Sequence, residues 1–329
     1  MSKILVTGGA GFIGSNFCNM MAEKGHDVVA LDDLSLGVTS NLSDKVQFVE
    51  GDVNKQEDLE KALRPFDKLM AGRTQGKRGQ GFDYIVHLAA SSSAPMFVKD
   101  MYWAYQNNVA GHIRVMQFAK EIGAKKFLFA STSSIYGNNP TPLTEDQEVV
   151  PLNHYSVTKF AQENASRVFS QAEGLEIIAF RFMSVYGLHE EHKTTFANLV
   201  SQFVWMMKKG DQPTLYGDGT QERDFTNVKD VCQGIELGIK TDKKYGFNVF
   251  NIGTNKCINL IDLVALMNKV MGTKIEPKYV PNPIKEGYVK NQLADIKKIS
   301  KEFGYKPTVG LENGIREIVE NLVKQDSKP

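Results

Sequence analysis

A tyrosine and a lysine lie four residues apart in the stretch NHYSVTKFAQENAS, residues 153–166. On a helix this spacing brings the side chains of Tyr155 and Lys159 to one face, one turn apart. A nearby ammonium lowers the pKa of a phenol from about 10 toward neutrality, so the pair could act as a general base. Tyrosine and lysine at this spacing are also common on exposed helix surfaces, and the stretch alone does not decide between the two interpretations.

The elements that must position this pair alternate between short apolar runs and longer amphipathic segments. Strands are predicted at KILVT, DVVAL, VQFV, YIVHL, KFLFA and EIIAFR, and helices over residues 12–25, 55–64, 101–122 and 154–173. This alternation predicts an α/β fold with a doubly wound parallel sheet, the Rossmann arrangement, and helices on both of its faces.

A glycine-rich turn follows the first predicted strand. In TGGAGFIGS, Gly8, Gly11 and Gly14 lie between a strand and a helix, where backbone N–H groups can approach a pyrophosphate. Asp32 and Asp33 end the second strand, and the first of them is 18 residues beyond Gly14. A carboxylate there can accept both ribose hydroxyls and would repel a 2′-phosphate, so we expect NAD and not NADP as the cofactor.

Other polar segments also follow predicted strands directly. Asp52 comes after the third strand, where it could hold an adenine edge, and HLAASSS, ASTSSIYG and RFMSVYG follow three later strands. Because the carboxyl ends of parallel strands meet at one edge of a sheet, all these segments should line the same edge as the glycine turn.

The chain is expected to have two functional parts. Residues 1–183 are predicted to form the NAD-binding Rossmann domain, with residues 228–252 returning to it as a helix and a strand, and residues 184–329 to form a smaller C-terminal substrate-binding lobe. The basic, glycine-rich stretch 67–82 is predicted to be a mobile surface loop at the opposite, amino-terminal edge of the sheet.

Composition is that of an ordinary globular protein. The chain has 329 residues, 42% of them hydrophobic, and a net charge of +1 without a basic block, so no nucleic-acid partner is expected. No stretch approaches the roughly 18 apolar residues of a membrane span, and no signal-type segment precedes the first strand. Cys18, Cys232 and Cys257 are scattered, which favours a cytoplasmic location. His189 and His192 have no third ligand in view, so no metal site is predicted.

Ten segments of the chain resemble, in order, the motifs of the extended short-chain dehydrogenase/reductase family. They are TGGAGFIG, LDDLS, GDV, HLAA, NNVAG, STSSIYG, YSVTK, RFMSVYG, YGDGTQERDFTNV and LADIKKISKEFGYKP. Members of this family are NAD-dependent nucleotide-sugar epimerases and dehydratases. The resemblance therefore implies an enzyme that binds a nucleotide sugar.

The resemblance also implies the roles of the residues in the opening stretch. Tyr155 corresponds to the catalytic tyrosine, and Lys159 to its partner, which also holds the nicotinamide ribose. Thr132 falls at the family's Ser/Thr position, where it would hydrogen-bond the reacting oxygen, and Ser131 would replace it if the alignment shifts by one. The phenolate would take a proton from a sugar hydroxyl as hydride passes from the same carbon to NAD.

The remaining implied contacts fall into two groups. The cofactor would be bound by Gly8, Gly11, Phe12, Ile13, Gly14, Asp32, Asp33, Asp52, Val53, Leu88, Ala89, Ala90, Asn108, Tyr155, Lys159 and Phe182. The substrate would be bound by Ser93, Thr132, Ser133, Ser184, Asn198, Leu199, Tyr216, Arg223 and Lys285.

The two residues after Thr132 discriminate between reactions. Dehydratases carry an acid and a base there, whereas this chain has Ser133 and Ser134, and an alcohol does not abstract a carbon-bound proton at useful rates. The resemblance therefore favours an epimerase like the UDP-glucose/UDP-N-acetylglucosamine 4-epimerases, acting through a 4-keto intermediate. Alternatives are another nucleotide-sugar or heptose epimerase, a 4-keto reductase and, disfavoured further, a 4,6-dehydratase or a non-catalytic NAD-binding protein.

Several positions depart from the family pattern. Ser184 replaces the usual asparagine, and Lys285 replaces a second phosphate-binding arginine. Met96 and Phe97 follow HLAASSSAP where polar, substrate-facing residues are usual, and Gln292 lies about where the family adjusts its pocket for an N-acetyl group. We take these departures as signs of an unusual sugar or nucleotide.

The predicted helix 101–122 carries large apolar side chains on more than one face. Such a helix needs cover on two sides, so it must pack against its own sheet and against something else. Because family members pair this helix and the 154–173 helix across a two-fold axis, a homodimer is expected.

Overall fold

The computed structural model describes residues 1–64, 81–283 and 288–326. Its strands are β1 (Lys3–Thr7), β2 (Asp27–Asp32), β3 (Gln47–Glu50), β4 (Tyr84–His87), β5 (Lys126–Thr132), β6 (Ile177–Phe182), β7 (Ser184–Tyr186), β8 (Thr214–Tyr216), β9 (Glu222–Arg223), β10 (Phe225–Asn227), β11 (Phe247–Ile252), β12 (Ile258–Asn259) and β13 (Lys278–Val280). Its α-helices are α1 (Phe12–Glu23), α2 (Gln56–Lys61), α3 (Met96–Lys99), α4 (Met101–Tyr105), α5 (Gly111–Glu121), α6 (His154–Glu173), α7 (Leu199–Lys208), α8 (Val228–Lys240), α9 (Leu260–Met271), α10 (Lys297–Phe303) and α11 (Leu311–Asp326).

A seven-stranded sheet is the framework of the fold. Its strand order is β11-β6-β5-β4-β1-β2-β3, and the pairs of β1 with β2 and β4, of β2 with β3 and of β4 with β5 are parallel. At the centre, Leu5 is in register with Val29 on one side and with Ile85 on the other. These side chains are fully buried, as expected for a parallel sheet covered on both faces. The predicted doubly wound α/β fold is confirmed.

The predicted helix over residues 101–122 has an interruption that the apolar pattern did not indicate. Between α4 and α5, residues Gln106–Ala110 form a single π-helical turn. Such a turn inserts one extra residue and is frequent at functional sites. Here it brings Asn107 and Asn108 into the interior.

The chain divides into two compact units, each assembled from several segments. The first unit comprises Met1–Ser131, His154–Phe180 and Ile235–Val249. Its core contains Leu5, Val29, Leu31, Leu59, Ile85, Val115, Phe127, Phe129 and Ile177. Strand β11 pairs at the edge of the large sheet next to β6, and α8 precedes it.

The second unit comprises Thr132–Asn153, Arg181–Gly234 and Phe250–Pro329. Its core contains Tyr186, Val200, Phe203, Val204, Leu215, Phe225, Leu263, Val264, Met267 and Ile315. The predicted functional boundary at residue 183 stays a prediction. The predicted loop 67–82 falls largely on residues 65–80, outside the described residues.

No helix among the described residues combines the length and the apolar character needed to span a membrane.

Candidate active site

The turn between β1 and α1 brings the backbone close to the loop after β4. Gly8 adopts a φ of 68°, and a Cβ there would lie only 2.6 Å from the backbone nitrogen of Ala89. A Cβ at Gly14 would overlap the carbonyl oxygen of Gly8. Only glycine therefore allows this turn to fold tightly against Leu88 and Ala89.

The N terminus of α1 opens directly from this turn. Helix α1 begins at Phe12, followed by Ile13, and no side chain among the described residues caps it at Gly11. The first-turn N–H groups and the helix dipole of such a terminus favour an anion. The side-chain-free cradle and this terminus fit the diphosphate of a dinucleotide.

Asp32 lies beside the same turn, at the end of β2. Its carboxylate accepts hydrogen bonds from the backbone nitrogens of Ala10, at 3.0 Å, and Leu34, at 2.9 Å. Burial raises the pKa of this carboxyl group, and the two backbone donors oppose the rise. The structure thus fixes Asp32 by backbone contacts at the place where a ribose-binding acid was predicted.

The other two predicted acids turn toward their own loops. Asp33 is more exposed and accepts from the backbone nitrogen and hydroxyl of Ser35, at 3.0 and 2.7 Å. Asp52 accepts from the backbone nitrogen of Asn54 at 2.8 Å, and Val53 beside it is buried. Both acids are held by local turns, and their cofactor contacts stay predictions.

Tyr155 and Lys159 lie on α6, whose bounds match the predicted helix 154–173. Lys159 is only 3% exposed, and its ammonium donates to the carbonyl oxygen of Ala130 at 2.8 Å. Burial lowers the pKa of this lysine to about 7. The ring of Tyr155 packs against Phe97, with 6.3 Å between the ring centroids. The lysine is buried beside the end of β5, so the pair is not an exposed surface pair.

Two buried histidines lie near Lys159. His87 is 2.7 Å from the hydroxyl of Thr7, and His112 is 2.8 Å from the hydroxyl of Ser166. Burial and the charge of Lys159 lower the pKa of His87 to about 3, and burial, His87 and Lys159 hold that of His112 well below its usual value. Both imidazoles are therefore neutral at physiological pH.

Asn108, predicted to contact the cofactor, is completely buried in the π-helical turn. Its carboxamide oxygen accepts from the backbone nitrogen of Ser91 at 2.7 Å, and its nitrogen donates to the hydroxyl of Thr158 at 3.0 Å. Its side chain thus joins the loop after β4 to the helix that carries Tyr155 and Lys159.

The hydroxyl of Ser93, a predicted substrate contact, is buried and has no hydrogen-bond partner in the part of the chain that the structure describes.

In the second unit, Thr132 begins the segment that distinguished between reactions. Its hydroxyl accepts from the backbone nitrogen of Ser134 at 3.1 Å and caps the short 3-10 helix Ser133–Tyr136. No carboxylate stands at either serine position. Phe182, the last residue of β6, is buried.

Gln292 connects Ser133, in the segment that distinguished between reactions, with Ser184, which departs from the family pattern. Its nitrogen donates to the hydroxyl of Ser133 at 3.1 Å, and its oxygen accepts from the hydroxyl of Ser184 at 2.9 Å. Gln292 and Ser133 are buried. The three side chains form one hydrogen-bonded network, although 159 residues separate Ser133 from Gln292.

Arg223, predicted to bind the diphosphate, donates to backbone carbonyl groups in this structure. Its guanidinium contacts the carbonyl oxygens of Glu222, Lys290 and Val289 at 2.8, 2.7 and 2.7 Å, and it lies 5.6 Å from the ring centre of Tyr288. These contacts use three of the five N–H donors of the guanidinium, so a diphosphate could be bound by the remaining donors or by exchange of carbonyl acceptors for phosphate oxygens. Lys285, the other predicted phosphate ligand, lies outside the described residues.

A cavity of about 810 Å³ lies in the second unit, and Tyr216 lines it together with residues from several loops. Its polar lining includes Asn138, Gln221, Tyr288 and Lys290. Amide and tyrosine side chains of this kind can hydrogen-bond and stack with a nucleoside.

The two remaining predicted substrate residues begin α7. Asn198 caps the helix by accepting from the backbone nitrogen of Val200 at 3.0 Å, and Leu199 is its first residue. The backbone nitrogen of Asn198 donates to the buried carboxylate of Glu190 at 2.7 Å.

Among the described residues, no group of three or more His, Cys, Asp or Glu side chains could hold a metal ion.

Sequence analysis missed three features of the site. Phe97 is buried, and its ring packs against that of Tyr155. The hydrogen-bond partners of Gln292 lie in distant segments of the chain. Glu163 is buried one helical turn beyond Lys159, a position that the same four-residue spacing would have indicated.

Comparison with known proteins agrees with this geometry. The family model for the NAD dependent epimerase/dehydratase family matches residues 4–253. A putative UDP-glucose 4-epimerase of Methanocaldococcus jannaschii is 30% identical, with 99% of each chain covered.

Two solved structures are similar along the whole chain. The UDP-glucose 4-epimerase of Thermotoga maritima with UDP-glucose superposes with a TM-score of 0.88 at 30% identity, covering 99% of this chain and 100% of that chain. The UDP-N-acetylglucosamine 4-epimerase of Methanobrevibacter ruminantium in complex with UDP-N-acetylmuramic acid has a TM-score of 0.87 at 28% identity, covering 98% and 99%. The predicted extended short-chain dehydrogenase/reductase family and its cofactor, NAD, are confirmed, and the chain belongs to the NAD dependent epimerase/dehydratase family.

Proposed function

We propose that this enzyme epimerises the sugar of a UDP-sugar at C4, with UDP-glucose or UDP-N-acetylglucosamine as the first candidates. Its similarity to 4-epimerases of both sugars supports the class of substrate. The observation that carries the proposal is the buried ammonium of Lys159, one turn from Tyr155 and 2.8 Å from the carbonyl oxygen of Ala130. A lysine held there keeps a positive charge beside the phenol without exposing it to solvent.

The proposed chemistry assigns one step to each side chain. Lys159 stabilises the phenolate of Tyr155, which takes the proton from the C4 hydroxyl. Thr132, which directly follows Ser131, donates a hydrogen bond to the same oxygen. The glycine turn and Asp32 would hold NAD, which would supply a reversible hydride acceptor for C4. Tyr155 then gives its proton back, so that no net proton is consumed.

Ser133 and Ser134 favour epimerisation over elimination. A 4,6-dehydratase must remove a carbon-bound proton and expel water, which requires acidic and basic side chains. The Ser133 hydroxyl accepts a hydrogen bond from the carboxamide of Gln292, so its immediate partner is neutral. Nothing at this position supplies the base that elimination needs.

For the nucleotide, we propose that Arg223 and Lys285 bind the diphosphate and that Tyr216, Asn198 and Leu199 lie along the base and ribose. Ser93 and Ser184 would contact the sugar. The cavity lined by Tyr216 supports this assignment by its size and by its amide and tyrosine lining. On this proposal residues 1–183 with 228–252 bind the cofactor, and residues 184–329 bind most of the substrate.

We propose further that the enzyme is a cytoplasmic homodimer. Large apolar side chains are exposed on α3, α4 and α6, among them Val98, Tyr102 and Val168, which are 88%, 81% and 57% exposed. Apolar groups concentrated on neighbouring helices favour burial against a second copy. The three free cysteines agree with a reducing compartment.

A panel of nucleotide sugars tests the function. UDP-glucose, UDP-galactose, UDP-N-acetylglucosamine and an ADP-heptose are each incubated with the enzyme, and the configuration at C4 and C6 is followed by proton NMR. We expect UDP-glucose carrying deuterium at C4 to give UDP-galactose that retains the label, because hydride leaves and returns to one carbon. Inversion at C6 of the heptose alone would favour a heptose epimerase.

Two further outcomes would point to a reductase or to a protein without catalytic activity. Turnover that consumes reduced cofactor, from protein that retains no nicotinamide after purification, would favour a 4-keto reductase. Retained NAD without any conversion of the panel would favour a non-catalytic NAD-binding protein.

A further inference from the structure

A second buried ionisable group lies on α6, next to the proposed catalytic pair. Glu163 follows Lys159 by four residues, so the two side chains share one face of the helix. Glu163 is only 4% exposed. A carboxylate is buried to this extent only when it has partners, and the proposed chemistry gives it no role.

The partner of Glu163 is the residue that precedes Thr132. The hydroxyl of Ser131 donates to the Glu163 carboxylate at 2.5 Å, and the ammonium of Lys159 donates to the carbonyl oxygen of Ala130 at 2.8 Å. Two successive residues of β5 are thus tied to two successive turns of α6. The chain then continues directly into Thr132.

Charges on several elements act on Lys159. On α6 itself, Glu163 raises the lysine pKa, and burial lowers it to about 7. His87 from β4 and His112 from α5 also face this charge, and both are kept neutral by burial and by the lysine itself. The phenol of Tyr155 carries a negative charge only after it has given up its proton. Of the described groups that act on Lys159, Glu163 is the one whose charge favours the ammonium.

We propose that Glu163 is a positioning residue that keeps the Lys159 ammonium charged, while Ser131 holds the carboxylate in place and so fixes the end of β5 before Thr132. The proposal rests on the proposed role of Tyr155 and Lys159. It assigns no contact with substrate or cofactor to Glu163.

The test measures the lysine directly and needs no sugar. In protein carrying ¹⁵N at the lysine side chains, the Nζ resonance of Lys159, identified by its loss in Lys159→Met, is titrated with and without NAD. Glu163→Gln keeps the size and one acceptor oxygen for Ser131 but removes the charge. We expect the apparent pKa of Lys159 to fall by at least about one unit.

Glu236→Gln is the matched control, because Glu236 is a buried acid of the same unit that pairs with Lys24 and Lys240. We expect it to leave the Lys159 titration unchanged. An unchanged titration in Glu163→Gln, or an equal shift in Glu236→Gln, would overturn the proposal.

Two further variants cover a failure of Glu163→Gln to fold. Glu163→Asp keeps the charge and should leave the Lys159 pKa closer to that of the native protein. Ser131→Ala removes the donor that holds the Glu163 carboxylate in place, so the carboxylate can move away from the ammonium. The pKa of Lys159 should then fall in the same direction as in Glu163→Gln, by a smaller amount. No shift in Ser131→Ala would then contradict the proposal.

Activity provides a second, independent measurement. In Glu163→Gln, the alkaline limb of the kcat profile should move to lower pH by the same shift, because the ammonium is lost earlier. A native enzyme that converts no sugar refutes the proposed function, whereas the lysine titration still tests the role of Glu163 by itself.

Discussion

Gln292 donates its side-chain N–H to the hydroxyl of Ser133 at 3.1 Å, and it also accepts from Ser184. Ser184 stands where related enzymes of the family usually carry an asparagine, and Gln292 lies about where they adjust the pocket for an N-acetyl group. The carboxamide of Gln292 satisfies both hydroxyls at once. Ser184 and Gln292 are therefore coupled by a direct hydrogen bond, and they must be changed with that coupling in mind.

Gln292→Ala should relax the choice of sugar. Removing the carboxamide opens space where the family adjusts its pocket for an N-acetyl group, so we expect kcat/KM for UDP-N-acetylglucosamine relative to UDP-glucose to rise about tenfold. It also leaves two hydroxyls without their partner, which should lower the free energy of unfolding by about 1–2 kcal/mol. Steady-state kinetics and urea denaturation measure the two effects.

The matched control is Gln202→Ala, in the same unit. Within the described part of the chain, the Gln202 side chain donates to the backbone carbonyls of Thr195 and Ala197. Its loss should affect stability without changing the ratio of the two sugars. An unchanged ratio in Gln292→Ala would show that the side chain does not limit the pocket.

Tyr155→Phe should lower kcat by about 10³-fold, the usual contribution of a positioned acid–base group. NAD should still bind, because the ring keeps its packing against Phe97. Isothermal titration with NAD and the NMR assay of C4 inversion separate the two properties. Tyr105→Phe is the control, since Tyr105 also packs on Phe97 and bonds His154, at 3.1 Å. Equal losses in both variants would contradict a chemical role for the Tyr155 hydroxyl.

Lys159→Met should stabilise the cofactor-free protein near neutral pH while abolishing turnover. The lysine pKa is about 7 in the folded protein, against 10.5 for an unperturbed lysine, so below pH 7 the folded state bears the full penalty of a buried charge. Loss of the hydrogen bond to Ala130 and of the attraction to Glu163 offsets part of the gain, and we expect a net gain on the order of 2 kcal/mol. The gain should shrink between pH 7 and 10.5, because the folded protein loses its proton in that range while the unfolded chain keeps it.

Urea denaturation at several pH values between about 6 and 10 measures this stability. The control is Lys126→Met, because Lys126 is also buried but donates to the carbonyl oxygens of Gly238, Ile239 and Thr241 near the end of α8. That variant should lose stability, since it leaves three carbonyl groups without their donor. Destabilisation by Lys159→Met over the whole pH range would contradict the expected charge penalty.

Arg223→Ala should weaken binding of UDP at least about tenfold and leave NAD binding unchanged, because charged hydrogen bonds to a phosphate are lost. Isothermal titration of the NAD-loaded enzyme with UDP measures the effect. Arg316→Ala is the control: it removes an arginine of the same unit that pairs with Glu312 at 3.3 Å and is not part of the cavity lining. Unchanged UDP affinity in Arg223→Ala would mean that this guanidinium serves only to hold the carbonyls of residues 289 and 290.

Local patterns were sufficient to predict where in the fold the candidate site residues within one element or one turn would lie. The glycine turn, Asp32 and the Tyr155–Lys159 pair are each defined by spacings of a few residues, and the structure places the glycine turn and Asp32 at the ends of parallel strands. Apolar alternation likewise predicted the sheet, because each strand must be buried on both faces.

The features that sequence analysis missed depend on contacts between distant segments. Ser133 meets Gln292 across 159 residues of chain, and Arg223 meets the carbonyl of Val289 across 66. No periodic pattern encodes such pairs. The π-helical turn at Asn108 was missed for a related reason: its contact with Thr158 joins two helices, whereas the apolar spacing indicates one continuous helix.

Tyr102→Glu should convert the enzyme to a monomer. Tyr102 is 81% exposed on α4, four residues after the exposed Val98 on α3. If a second copy covers this surface, a charge introduced at residue 102 would be buried at a large cost in free energy. Multi-angle light scattering at micromolar concentration should give a mass near twice that of the 36.7 kDa chain for the native protein and a single chain for the variant.

Val323→Glu provides the matched control for an exposed apolar residue that receives a charge. Val323 is 56% exposed on α11, in the second unit, away in sequence from the helices expected to pair. This variant should keep the native mass, because a charge outside an interface remains in water at little cost. A native protein that is already monomeric would refute the dimer, and loss of the dimer in both variants would show that the apolar surface of α3, α4 and α6 is not what holds the two copies together.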